Sequence, residues 1–267
     1  MRVIEHKVEM MKKILIKCGG SVLDQLSGEF FESIEELINK EYQIVFVHGG
    51  GPDINEMLEA MNVTPIFVNG LRKTDEKTLR VVEMVLSGKT NRKLVEKLSK
   101  NKLHAIGVNG SDAGLFQAQY VNKEELGYVG EIQSVDKTII QMLLGKGMIP
   151  VITPIAVAED GEKLNVNADY AAAAIANALE VEHCLFVTDV DGIKIDGKLQ
   201  PKLTIEEIHH HIKSGEIYGG MIPKVQSALS ALKKGVESVM IVSGKNKFFF
   251  DHNWQGTKII GEEMVIQ

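Results

Sequence analysis

Two glycine clusters with lysines beside them are the residues of this chain whose types and spacing most directly suggest chemistry. Lys17-Cys18-Gly19-Gly20 and His48-Gly49-Gly50-Gly51-Pro52 each follow an apolar, β-branched run and precede a segment of helical period. At such strand-to-helix turns, backbone N–H groups and helix N-termini attract anions, and glycine lets a phosphate or carboxylate approach closely. One such cluster could be only a tight turn; two in successive units point to an anion site. Lys17 ends an apolar strand, an unfavourable place for a strongly hydrated ammonium unless it faces an anion. Gly219-Gly220-Met221-Ile222-Pro223-Lys224 puts a second lysine just past a glycine pair, at a helix start. Between them, Asn165, Asn167 and Asp169 alternate ahead of an alanine-rich helix. One of the three serves as the N-cap, and three exceed what one cap requires. Asp189-Val190-Asp191-Gly192 forms a further strand-end turn.

Familiar alternatives fail on spacing. Gly88-Lys89-Thr90 resembles the end of a P-loop, but Glu83 stands where the first glycine belongs. The triple glycine fails the dinucleotide pattern because Ile54 occupies the last glycine position. In His209-His210-His211, three successive helical side chains point to different faces and cannot share a metal. Lys89 to Lys102 reads as the solvated face of a helix, and Met10, Met11, Met57, Met61 and Met84 read as core filler. Cys18 and Cys184, both inside apolar runs, read as buried reduced thiols.

The elements that must position these residues alternate strand and helix. Strands are predicted at Lys13 to Cys18, Gln43 to His48, His104 to Val108, Ile149 to Thr153, His183 to Thr188 and Ser238 to Val242. Helices are predicted at Leu26 to Lys40, with Phe30, Ile34, Leu37 and Ile38 on one face, and from Asp53 to Met61 behind Pro52. Further helices fall at Val135 to Lys146, Ala168 to Leu179 and Ile222 to Lys234. Such alternation is the pattern of a large, mostly parallel α/β sheet. Gln117 to Ile132 reads as antiparallel hairpins at an edge or lid.

With 44% hydrophobic and 25% charged residues the 267-residue chain is globular, with no disordered tract. A net charge of −6 argues against a nucleic-acid surface, which needs clustered excess lysine and arginine. No apolar run reaches the ~20 residues of a membrane span. The first ten residues lack a secretory pattern, so a cytoplasmic protein is expected. Met11-Lys12-Lys13 would make a natural start, and the residues before it read as a short extra helix or as a misassigned beginning.

Together with Asn69-Gly70-Leu71-Arg72-Lys73-Thr74, the segments above, in this order, resemble the amino acid kinase family from Met11 to the C-terminus. The resemblance implies an open three-layer αβα sandwich around a mainly parallel sheet. It forms a single domain with an acyl amino acid-binding half over roughly 11–160 and an ATP-binding half over 161–267. It further implies ATP-dependent phosphorylation of the side-chain carboxylate of N-acetyl-L-glutamate in arginine biosynthesis. Acetylaminoadipate, glutamate or aspartate as the acid, or a non-catalytic sensor of the same fold, remain as alternatives. By the same resemblance Lys17 and Lys224 stabilise the phosphoryl group in flight and Asp169 holds both lysines. Gly50, Gly51, Arg72 and Asn165 bind the acid. Gly19, Gly20, Asp189, Val190, Asp191, Gly192, Ile193, Lys194, Glu216, Ile217 and Tyr218 bind ATP. Mg²⁺ travels on the ATP with no protein metal site, and the segment before Met11 is too short for the helix that goes with arginine feedback. A homodimer is therefore expected.

Overall fold

The computed structural model describes residues 11–261; the segment before Met11, and Met10 with it, lies outside them. In chain order the principal strands are β1 (Lys13–Cys18), β2 (Gln43–His48), β3 (Ala105–Asn109), β4 (Phe116–Tyr120), β5 (Val129–Val135) and β6 (Ile149–Thr153). They continue with β7 (Ile155–Ala158), β8 (Lys163–Val166), β9 (His183–Thr188), β10 (Lys202–Thr204), β11 (Ser238–Ser243) and β12 (Thr257–Ile260). The principal helices are α1 (Gly28–Asn39), α2 (Gly51–Ala60), α3 (Glu76–Met84), α4 (Asn91–Lys100), α5 (Thr138–Gly145), α6 (Ala168–Leu179), α7 (Ile205–Ser214) and α8 (Met221–Lys233).

Eight strands form one sheet in the order β10-β12-β11-β9-β1-β2-β6-β3, parallel throughout except where β12 runs against β11. Strands from residues 13–153 lie on one side of the β1–β9 junction and strands from 183–260 on the other. Helices cover both faces, so the central strands β1, β2, β6, β9 and β11 are buried on both sides and read as near-continuous apolar runs. Alternation along β1 sends Ile14, Ile16 and Cys18 into a core with Phe30, Ile34 and Leu37 of α1. Leu15 points the other way, into a core with Ala171, Ala172 and Ile175 of α6 and Val225 and Ala228 of α8. Lys17 shares Leu15's parity and therefore faces α6. Cys18 and Cys184 are buried free thiols, the first pushed up to about 12 by burial.

Several sequence expectations change. Gln117 to Ile132 does contain an antiparallel pair, but β4 and β5 belong to no edge of the main sheet. They close with β7 and β8 into a separate four-stranded barrel, in which β5 pairs parallel with β8 and β4 parallel with β7. Val135 completes β5, and α5 begins only at Thr138. Ile38 is half-exposed, off the buried face of α1. Met11, Met57, Met61 and Met84 are exposed, not core filler. Lys89 to Lys102 is not simply a solvated face. A π-helical turn over Val85–Thr90 precedes α4 and turns Thr90 and Asn91 into the interior, where both are buried. Among the described residues, no helix is long and apolar enough to cross a membrane.

Candidate active site

Chain direction in a parallel sheet brings the ends of β1, β2 and β9 to one edge, and the two glycine loops meet there. A Cβ on Gly20 would lie 2.9 Å from the Gly50 Cα, so the two loop backbones are in direct contact and glycine is required. A Cβ on Gly50 would press on Leu86 Cδ2 at 2.5 Å, because the π-helical turn packs beneath the loop. Gly49 N–H donates to the Cys18 carbonyl at 2.9 Å, tying the end of β2 to the end of β1.

A cleft of about 260 Å³ opens over these loops, lined by Lys17, Gly19, Gly20, Gly49–Gly51, Arg72, Asn165 and Asp169 among others. The Lys17 ammonium lies 2.6 Å from Asp169 Oδ1, and both side chains are largely buried. Asn167 is the cap of α6, accepting from the Asp169 and Tyr170 N–H groups. That leaves Asp169 free to face β1 from the first turn of the helix. Alanines make this approach possible: Ala171, Ala172 and Ala173 are fully buried where α6 lies on the sheet. Asn165 donates to Thr74 Oγ1 at 3.1 Å, and Thr74 donates to the Arg72 carbonyl at 2.7 Å, so β8 is tied to the segment carrying Arg72.

Arg72 is buried with its guanidinium 4.6 Å from the Phe67 ring centre, and one nitrogen donates to Asn55 Oδ1 at 2.7 Å. Its Nη1 has no hydrogen-bond partner, and no carboxylate pairs with it among the described residues. Burial lowers its pKa from the ordinary arginine value. A buried guanidinium with an unused donor is expensive unless an anion completes it.

A second cleft, of about 440 Å³, is lined by Asp189, Val190, Asp191, Gly192, Lys194, Glu216, Ile217 and Tyr218, with Met221 and Asn246. Ile193, expected among these, faces inward instead: it is fully buried and its N–H donates to Thr257 Oγ1 at 2.8 Å. Asn246 donates to Asp191 Oδ1 at 2.6 Å, and His211 Nδ1 donates to Glu216 Oε2 at 2.6 Å, holding Glu216 below the usual carboxylate range. Gly19 and Gly20 lie apart from this cleft, at the edge of the first. A connecting cleft of about 310 Å³ is bounded by Lys17 and Gly19 at one end and by Asp189 and Lys224 at the other.

Lys224 is not held by Asp169. Its ammonium lies 3.0 Å from Asp189 Oδ1, and the pairing pulls that carboxyl below its usual range. Asp169 reaches the helix of Lys224 indirectly, accepting from Ser227 Oγ at 2.7 Å. Three residues apart on α8, Lys224 and Ser227 share a face. Sequence reasoning missed Ser227 and Asn55, since lone polar residues within helices carry no signal of their own, and it missed the role of Thr74, which was in view only as the end of the Arg72 segment. It also missed the use of His48, although the residue was in view as part of the glycine cluster.

The model of the amino acid kinase family matches residues 12–243. An acetylglutamate kinase of Bacillus velezensis is 52% identical over 255 residues, covering 95% of this chain and 98% of its own length. Among solved structures, a protein of Streptococcus mutans UA159 superposes with a TM-score of 0.80 at 33% identity, covering 94% of this chain and 99% of that one. Carbamate kinase from Giardia lamblia shares the fold alone, at 14% identity and a TM-score of 0.63 over 95% of this chain and 99% of that one. With its two glycine loops in contact and a lysine at each end of the passage between the clefts, the chain belongs to the amino acid kinase family.

Proposed function

We propose that the chain transfers the terminal phosphoryl group of ATP to the side-chain carboxylate of N-acetyl-L-glutamate, in arginine biosynthesis. One observation carries the reading: the buried, incompletely paired Arg72 faces the same small cleft as the glycine loops and Lys17. That cleft suits a small dianionic acid, with one carboxylate on the planar fork of Arg72 and the other directed at the loops. Gly50, Gly51 and Asn165 complete the acid site. ATP occupies the second cleft, with its phosphates reaching Gly19, Gly20 and the two lysines. The two clefts correspond to an acid half and an ATP half, with Asn165 and Asp169 belonging to the acid cleft from beyond residue 160.

A glutamate-type carboxylate, with a reference pKa of about 4.3, is already ionised at neutral pH and needs no general base. Its oxygen forms a bond to the terminal phosphorus as the bond to the bridging oxygen breaks. ADP leaves with that electron pair, and no proton moves. The obstacle is repulsion between an anion and a polyphosphate, so catalysis rests on fixed positive charge and N–H donors. Lys17 and Lys224 supply the charge; Asp169 orients Lys17 and takes no proton. Both carboxylates at the junction are already paired with lysine, a donor set that fits a Mg²⁺ carried on the phosphates and not caged by protein. When bound, that ion neutralises phosphate charge.

The assembly we propose is a homodimer. Among the described residues β3 ends the main sheet with its outer edge unpaired, Ile106 on it is exposed, and α4 packs beside it. A second copy would cover such an edge. The functional reading is tested by ADP release with N-acetyl-L-glutamate, acetylaminoadipate, glutamate and aspartate. N-acetyl-L-glutamate is expected to give the highest kcat/KM. Tight binding of the acid with no ADP release in any case would instead identify a sensor.

A further inference from the structure

His48, the residue before the triple glycine, is fully buried and takes no part in the chemistry above. Its Nδ1 lies 3.1 Å from the Gly49 carbonyl oxygen, and its Nε2 lies 3.2 Å from Thr153 Oγ1 and 3.1 Å from Asn91 Nδ2. A carbonyl can only accept, so Nδ1 carries the hydrogen. Asn91 Nδ2 can only donate; its two hydrogens serve the Val151 carbonyl at 2.8 Å and either His48 Nε2 or Thr153 Oγ1, both at 3.1 Å, while Asn91 Oδ1 accepts from Arg92. Burial keeps the ring neutral, so with its one hydrogen on Nδ1 the Nε2 accepts, from the Thr153 hydroxyl or the Asn91 amide, and the ring is the neutral Nδ1–H tautomer.

The Gly49 carbonyl and the Gly50 N–H belong to one planar trans peptide and point in opposite directions. Drawing the carbonyl down toward the buried ring therefore turns the Gly50 N–H up toward the cleft that Gly50 lines. That N–H donates to no acceptor among the described residues. The same loop is fixed from its other side by the Gly49 N–H bond to Cys18.

We infer that His48 is a positioning residue: through Nδ1–H it holds the Gly49–Gly50 peptide so that the Gly50 N–H meets the anion in the acid cleft. The inference rests on the acid-site reading given above. An asparagine amide can place a donor where Nδ1 sits, whereas a glutamine amide reaches the Nε2 position and leaves the Gly49 carbonyl without its donor.

The test compares His48→Asn with His48→Gln in steady-state kinetics with N-acetyl-L-glutamate and ATP, alongside thermal midpoints. Removing one preorganised donor costs ~100–1000-fold in rate. We expect His48→Gln to lose about 100-fold in kcat/KM for the acid, and His48→Asn at least tenfold less. The KM for ATP should stay in place in both. Equal losses in the two variants at similar thermal midpoints, or acid and ATP KM values rising together, would overturn the inference. A wild-type protein that does not phosphorylate the acid would instead bring down the functional reading itself. Side-chain ¹⁵N NMR of the wild-type protein, with His48 assigned by the signal missing from His48→Asn, reads the ring directly. An Nδ1–H tautomer at neutral pH supports the inference, and an Nε2–H tautomer or imidazolium overturns it, whether or not the variants fold.

Discussion

The two lysines at the junction are held unequally, and this difference can be measured. Lys17 and Asp169 are 15% and 16% exposed, whereas Asp189, the partner of Lys224, is 42% exposed. Each ammonium is assigned the same task, so Lys17→Ala and Lys224→Ala should each lower the rate of the chemical step by ~100–1000-fold. Near-normal single-turnover rates in either variant would remove it from the mechanism. Only Lys17→Ala strands a largely buried carboxylate, and it alone should lose stability on the order of 1–3 kcal/mol in urea unfolding. Arg72 makes a prediction of a different kind. Its fork offers two parallel donors where lysine offers a point charge, so Arg72→Lys should raise the KM of the acid at least tenfold and leave that of ATP in place. Equal effects on both substrates would mean that Arg72 supports the fold and does not clamp the acid.

At the scale of elements, the site depends on helices meeting strand ends at close range. The alanine face of α6 brings Asp169 down onto β1, and the π-helical turn before α4 brings Thr90 and Asn91 under the second glycine loop. His48, Asn91 and Thr153 join β2, α4 and β6 in a buried clasp whose histidine is pushed down to about 4 by burial, against an ordinary 6.5. The unfolded chain binds a proton near pH 6.5 that the folded chain refuses until about pH 4. Stability from this residue is therefore present above pH 6.5 and lost as pH falls toward 4. The two values correspond to roughly 3 kcal/mol. Urea unfolding at pH 7 and pH 4.5 should show the larger part of that loss in wild type and a correspondingly smaller one in His48→Asn. The same acid slope in both proteins would contradict a neutral buried ring.

At the scale of the whole molecule, legibility in the sequence followed burial. β1, β2, β6 and β9 fall at their predicted residues because each is a bounded apolar run between turn signals, and α6 because alanines follow a cap. The barrel was legible only as a hairpin, since closing it pairs β5 with β8 and β4 with β7 across some forty residues with no local sign. The π-helical turn likewise leaves no mark in composition, being a change of hydrogen-bond register within a helical pattern. Methionine type does not distinguish a core from an exposed face, which is why Met57, Met61 and Met84 were misplaced. Both lysines were visible beside their glycines, but the partner of Lys224 depends on how β9 and α8 converge, which no spacing records.

All of these features serve one claim, that the protein moves a phosphoryl group onto a carboxylate. Trapping the product with hydroxylamine tests it most directly, because an acyl phosphate yields a hydroxamate and a phosphate ester or phosphoramidate does not. With ATP, Mg²⁺ and N-acetyl-L-glutamate, hydroxamate should accumulate in step with ADP. ADP release without hydroxamate would contradict the account.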